Sequence, residues 1–283
     1  MNLEPGQLQR RLGDALFARV AGPEGPTNRA RFAAAGPRWF AEDRPIRRVH
    51  GDAAMFVGGL RALLLQSLHP QAMIAVAQHS DYRGDPWGRL QRTSTFLAAT
   101  TFGTADDAQH SVDVVRRVHQ YVTGTGADGV PYRADDPHLL RWVHVAEADS
   151  FLRAHQRYGA RPLDEAGCDG YVADAARIAQ ALGVPDPPVT VRELDAALEA
   201  YRPELRAIPE ALEAARFLVR TPPLPLVARG PYALLAGTAI ADLPAWARRE
   251  LRLPPPNPAE SLLAAPVGKG VTGAIRWAMG GRR

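Results

Sequence analysis

Between Pro137 and Tyr158 the apolar residues Leu140, Val143, Ala148, Phe151 and Leu152 recur at helical spacing. No stretch of the chain alternates convincingly with period two, and no internal repeat is visible. A chain patterned this way buries its core between helices rather than on a sheet. The same spacing predicts further helices over 8–20, 53–68, 72–78, 88–101, 106–122, 168–182, 191–201, 209–218 and 232–249. Asp52, Asp85 before Pro86, and Thr190 with Glu193 three residues on have the chemistry of helix starts. Gly22-Pro23, His69-Pro70 and Gly103-Thr104 have that of stops. Residues 124–129 read as a glycine-rich loop and 129–137 as a short extended turn. The expected fold is all-α: one multi-helix domain over 1–283, with an N-terminal arm to about residue 38. A Pro/Gly-rich basic tail follows over about 254–283, and its part from Val267 on reads as a loose last helix.

Composition narrows the function. Hydrophobic residues make up 46% of the 283, enough for a sizeable core. The longest apolar stretch, 53–68, carries Arg61, Gln66 and Ser67 and is too short and polar to span a bilayer. Lys269 is the sole lysine among 34 basic residues, a bias that goes with abundant Ala, Gly and Pro and marks GC-rich coding. The arginines are scattered among acids and the net charge is only +4, which argues against a nucleic-acid partner. The lone Cys168 rules out an internal disulfide and a cysteine metal cage and fits a reducing cytoplasm. The N-terminus lacks a basic-then-apolar leader pattern, so a cytoplasmic location is expected. GxSxG, Walker, GxGxxG and HExxH patterns are absent, and nothing sets the oligomeric state.

The chemistry-bearing residues cluster in the middle. Arg89, Arg92 and Thr93 stand at i, i+3 and i+4 and share a helix face, with Phe96 and Leu97 following on that side. Half-buried arginines there need an anion. Arg116 and His119 stand at i and i+3, among Val115, Val118 and Val122. His144 lies between Val143 and Val145, with Glu147 placed at i+3 to orient it. A fixed imidazole opposite strong donors is what a haem iron requires. The residues leave alternatives open: core histidines bonded to backbone, or a non-haem iron on His119, His144 and Glu147. His69 and His79 could face a pocket, whereas His138 and His155 read as surface residues.

Several blocks in order resemble the superfamily of latex-clearing proteins and MpaB-like oxygenases. They are Val49-His50-Gly51-Asp52, the Leu65–Pro70 block LQSLHP, and the His79–Thr93 block HSDYRGDPWGRLQRT. Phe102-Gly103, Arg116-Arg117-Val118-His119 and the Asp135–His144 block DDPHLLRWVH complete them. The likeness spans roughly 39–253. It implies a globin-like helical core holding haem b, with His119 as the proximal iron ligand and Arg116 beside it. It also implies Arg89, Arg92 and Thr93 on the distal side, where the family's lysine is replaced by Arg92. Arginine stays charged and cannot ligate iron, so a lysine-ligated closed state is not expected. The rubber oxygenases' catalytic glutamate falls near Met73, where no acid stands, which speaks against rubber cleavage itself.

The implied activity is a haem b-dependent oxygenase. Its partners would be dioxygen and an apolar small molecule, an isoprenoid or polyketide-like skeleton with a double bond. His144 is expected in the pocket wall rather than on the iron. Two other classes fit the residues: a haem protein of peroxidase-like, isomerising, dehydrating or gas-binding type, and a metal-free helical binding protein.

Overall fold

The computed structural model describes residues 5–126 and 129–280. Ala127 and Asp128, in the expected glycine-rich loop, lie outside them. The chain is all-α, with one small hairpin. Its helices are α1 (Pro5–Ala21), α2 (Gly25–Phe32), α3 (Pro45–His50), α4 (Met55–Gln66), α5 (Pro70–His79), α6 (Pro86–Phe102) and α7 (Ala105–Tyr121). After the hairpin β1 (Thr123–Thr125) and β2 (Pro131–Arg133) come α8 (Pro137–Tyr158), α9 (Glu165–Leu182), α10 (Val191–Tyr201) and a 3-10 turn, Arg202–Glu204. The last four are α11 (Pro209–Arg220), α12 (Leu226–Ala241), α13 (Ala245–Glu250) and α14 (Pro258–Gly280).

Local chemistry sets the starts. Asp85 accepts from the Gly88 amide at 2.8 Å, with Pro86 in the first turn of α6. Thr104 and Asp107 form a reciprocal capping box on α7. Asp136 caps α8, and Thr190 caps α10 through the Glu193 amide. Asp52 accepts from the Ala54 amide and caps the turn leading into α4, so regular helix begins two residues later than the apolar pattern suggests.

The core centres on α4 against α8. Gly58 lets the two backbones approach closely: a Cβ there would lie 2.8 Å from the Phe151 ring and 3.1 Å from the Ser150 carbonyl. Arg61 of α4 is 1% exposed. Its Nη1 donates to Ser150 Oγ at 2.7 Å and stands 2.7 Å from Asp149 Oδ2, at ion-pair distance but off the hydrogen-bond line. Its Nε donates to the Asp242 carbonyl at the end of α12. One guanidinium thus joins three helices. Trp142, fully buried, adds an indole bond to the Gln66 carbonyl at 3.0 Å.

The expected first helix is present as α1, and both termini carry more regular helix than the sequence predicts. The N-terminal arm forms two helices, and α1 packs on α6 and α14. The tail is a 23-residue helix that carries Pro266 inside it and lies against α12, α1 and α8. Arg276 of this helix reaches Asp52 and the Tyr158 carbonyl, and Thr272 also donates to that carbonyl. These long-range bonds hold a segment whose own sequence is a poor helix former. The extended turn at 129–137 closes an antiparallel hairpin with Gly124 opposite Tyr132. The helix expected over 232–249 divides at Asp242-Leu243-Pro244 into α12 and α13, because Pro244 blocks continuation.

Asp149→Ala leaves the buried Arg61 charge only the Asp242 carboxylate, 3.8 Å away, and should cost about 3–5 kcal/mol by denaturant titration. Arg61→Met with Asp149→Leu should recover most of that loss. An unshifted midpoint for Asp149→Ala would show that the pair does not hold α4 to α8.

Candidate functional site

On the side of α4 away from Arg61, a cavity of about 500 Å³ opens between α4, α5, α6, α8, α11 and α12. Its wall is overwhelmingly apolar: Met73 and Val76 from α5, Leu90 and Leu97 from α6, Val143 and Phe151 from α8, with Phe217 and Leu235 beyond. Its charged or imidazole side chains are His50, Asp52, Arg89 and Glu147, with Gln66, Ser67, Thr93 and Ser94 as the small polar ones. The size and lining suit a small apolar ligand oriented by a few polar groups.

Arg89 and Thr93 stand on the cavity face of α6, and Thr93 Oγ1 donates back to the Arg89 carbonyl. Arg89 donates to Ser80 Oγ at 2.7 Å. Burial lowers its pKa, aided by Arg92 and opposed by Tyr82 and Glu147. Arg92 is absent from the lining, its side chain 66% exposed and 3.3 Å from Asp85. The reason is angular. The lined face of α6 centres on Leu90 and Leu97, and at 3.6 residues per turn Arg92 points roughly 150° away.

Glu147 enters from α8 on the stripe Val143–Glu147–Phe151, at i, i+4 and i+8. Burial pushes its carboxyl up to about 7, and the Arg89 charge partly offsets the rise. His50 is held by Thr101 Oγ1 at 2.8 Å and lies 3.4 Å from the Tyr171 hydroxyl. Burial drives its pKa down to about 3, so its imidazole is neutral at ordinary pH. Asp52, by contrast, is spent on the Ala54 and Ala160 amides and on Arg276.

The remaining expected residues lie off this cavity. Arg116 is exposed on α7, its Nη1 3.4 Å from the Ala181 carbonyl, rather than buried beside an anion. His119, one turn on, is half-buried; desolvation lowers its pKa against the pull of Asp135. His144 projects from the flank of α8 next to the cavity stripe. Its Nε2 is buried without a hydrogen-bond partner, so Glu147 does not hold that nitrogen. Burial, with Arg141 nearby, takes its pKa down to about 4. Of the other histidines, His155 is 1% exposed and bonds the Arg161 carbonyl, contrary to the surface reading. His79 bonds the Tyr132 hydroxyl, and His69 is buried beside Trp142.

The sequence offers Glu147 only as a partner for His144 or as a third ligand of a non-haem iron. The signal that distinguishes it is an acid interrupting an otherwise apolar i, i+4, i+8 stripe. Met73 lines the cavity where the resemblance implies a glutamate, and Glu147 brings a carboxyl to the same space from another helix. An apolar chamber with a carboxyl titrating near neutrality and a half-desolvated guanidinium can bind a hydrocarbon skeleton, exclude water and move a proton.

The raised pKa has a consequence for stability. Folded Glu147 keeps its proton to about pH 7, whereas an unfolded glutamate loses it near 4.5. The folded state therefore binds the extra proton between those values. This stabilising contribution is whole below 4.5 and is lost as pH rises through 7. Glu147→Gln should flatten the stability curve in that window and gain up to about 3 kcal/mol over wild type above it. Parallel curves for the two proteins would place Glu147 in a solvated setting.

No curated protein and no solved structure matches the chain. Residues 47–277 match the family described as "ER-bound oxygenase mpaB/B'/Rubber oxygenase, catalytic domain", a span holding nearly all of the cavity wall. The chain therefore belongs to the mpaB/rubber oxygenase catalytic-domain family, and its activity is that of an oxygenase.

Proposed function

We propose that the protein is a haem b-dependent oxygenase that takes an apolar, olefinic small molecule into the cavity and oxidises it with dioxygen. The observation that carries this reading is Glu147: a carboxyl that desolvation pushes up to about 7, sharing with Arg89 a chamber lined mostly by hydrocarbon. Haem b is the group that the family resemblance implies. Two side chains have the donor chemistry it needs: His144 Nε2 is a buried nitrogen without a hydrogen-bond partner, and desolvation lowers the pKa of His119. His119 would hold its iron, and Arg89 would meet a carboxylate of the group or of the substrate. When bound, haem supplies the redox chemistry of dioxygen activation.

The chain's own side chains do the rest. Met73, Val76, Leu97 and Phe151 bind the skeleton and keep water out. Glu147 takes or returns a proton at a carboxyl oxygen, and its pKa suits either direction near neutral pH. Arg89 favours negative charge developing nearby. One observation favours a second reading, a metal-free binding protein: neither His119 nor His144 is among the residues lining the cavity.

The absorption spectrum of protein expressed with haem supplied separates the two. A Soret band lost in His119→Ala and kept in His144→Ala supports the proposed ligand; loss only in His144→Ala transfers that role. No band in any form, with tight binding of apolar dyes, supports the binding protein. In dioxygen uptake with an olefin, Glu147→Gln should lower kcat by about 10²–10⁴ while haem content is unchanged.

A further inference from the structure

Away from the cavity, three helix ends meet around a group of side chains that the oxygenase reading does not use. His69 immediately precedes α5, His138 is in the first turn of α8, and Glu204 ends the 3-10 turn after α10. His138 Nε2 lies 2.8 Å from Glu204 Oε2, and His69 Nε2 lies 3.4 Å from the same oxygen. One ligand atom from each residue fits within 4.8 Å of the others. None of the three lines the cavity.

We propose that His69, His138 and Glu204 form a binding site for a divalent transition-metal ion of the zinc type. An ion bonded at about 2.0–2.1 Å to tetrahedral ligands holds them roughly 3.3 Å apart, a spacing that the two contacts to Glu204 bracket. A hydrogen bond explains the His138–Glu204 pair but leaves His69 unexplained. That imidazole is 1% exposed; its Nδ1 has no hydrogen-bond partner, and its Nε2 meets the Glu204 carboxylate only at a long 3.4 Å. A poorly satisfied nitrogen in a core is costly, and a cation between Nε2 and Glu204 satisfies it.

The surroundings orient the ligands. The Tyr201 hydroxyl donates to the His138 carbonyl at 2.8 Å and sits 3.4 Å from His138 Nδ1, leaving Nε2 as the nitrogen free to ligate. Trp142 and Tyr201 wall off the His69 side. Glu204 and His138 are half-exposed, so a fourth position is open to water. Arg206 acts electrostatically on His69, and its positive charge makes the site moderate in affinity rather than tight. The role is structural. An ion here would clamp the α4–α5 corner, whose Ser67 and Met73 line the cavity, to the start of α8.

The test is calorimetric titration of zinc chloride into the protein as purified, after dialysis against a chelator that leaves haem in place. Wild type should take up one zinc per chain, and its melting temperature should rise with zinc. Glu204→Gln and His138→Gln change half-exposed side chains and should fold; each should bind at least about tenfold more weakly and lose the thermal response. His110→Ala, on exposed α7 surface, should bind like wild type. Equal zinc affinity in wild type and Glu204→Gln, or no binding to wild type at millimolar zinc, overturns the proposal.

Discussion

The architecture depends on a charge buried where it can be neutralised. Arg61 sits at the crossing of α4 and α8, with Asp149 and Ser150 on one side and the end of α12 on the other. An ion pair at 1–2% exposure contributes little net stability but is costly to break, so it fixes which faces of the two helices meet. With Gly58 allowing close approach, the register of α4 on α8 is set. The opposite flank of α4 and the stripe Val143–Glu147–Phe151 are then committed to the cavity.

Asp149 and Glu147 show how position decides the fate of a carboxyl. They are two residues apart on one helix, roughly 200° around its axis. Asp149 faces Arg61 and accepts from Arg153, whereas Glu147 faces a hydrocarbon wall with only the Arg89 field to favour its charge. Structural and chemical roles are thus divided between the two sides of a single helix. A carboxyl in the second setting is suited to proton transfer in a way that the first is not.

Much of the fold was legible in the chain. The apolar spacing of α8, the Asp85-Pro86 start of α6 and the Thr190 cap all depend on local rules, and each is found. What failed was non-local. Helix α14 forms through Pro266 because Thr272 and Arg276 bond to Tyr158 and Asp52, more than a hundred residues away. Arg89 and Thr93 share the cavity face of α6, but spacing could not locate the centre of that face, which leaves Arg92 with Asp85 in solvent. The cavity acid was hidden for a related reason: one glutamate on a long helix has no signature until its stripe is known to line a space. His69, His138 and Glu204 lie far apart in sequence and meet only through the ends of three elements.

Under the proposed function, oxygen is inserted into an apolar substrate within the α4–α5–α6–α8 cavity. Mass spectrometry of products formed under ¹⁸O₂, comparing wild type with Ala72→Trp, tests it most directly, because an indole at that wall position fills the chamber without removing a polar group. The account predicts labelled product from wild type and its loss in the variant, at unchanged helicity and haem content. Label incorporated equally by both would place the chemistry elsewhere in the molecule.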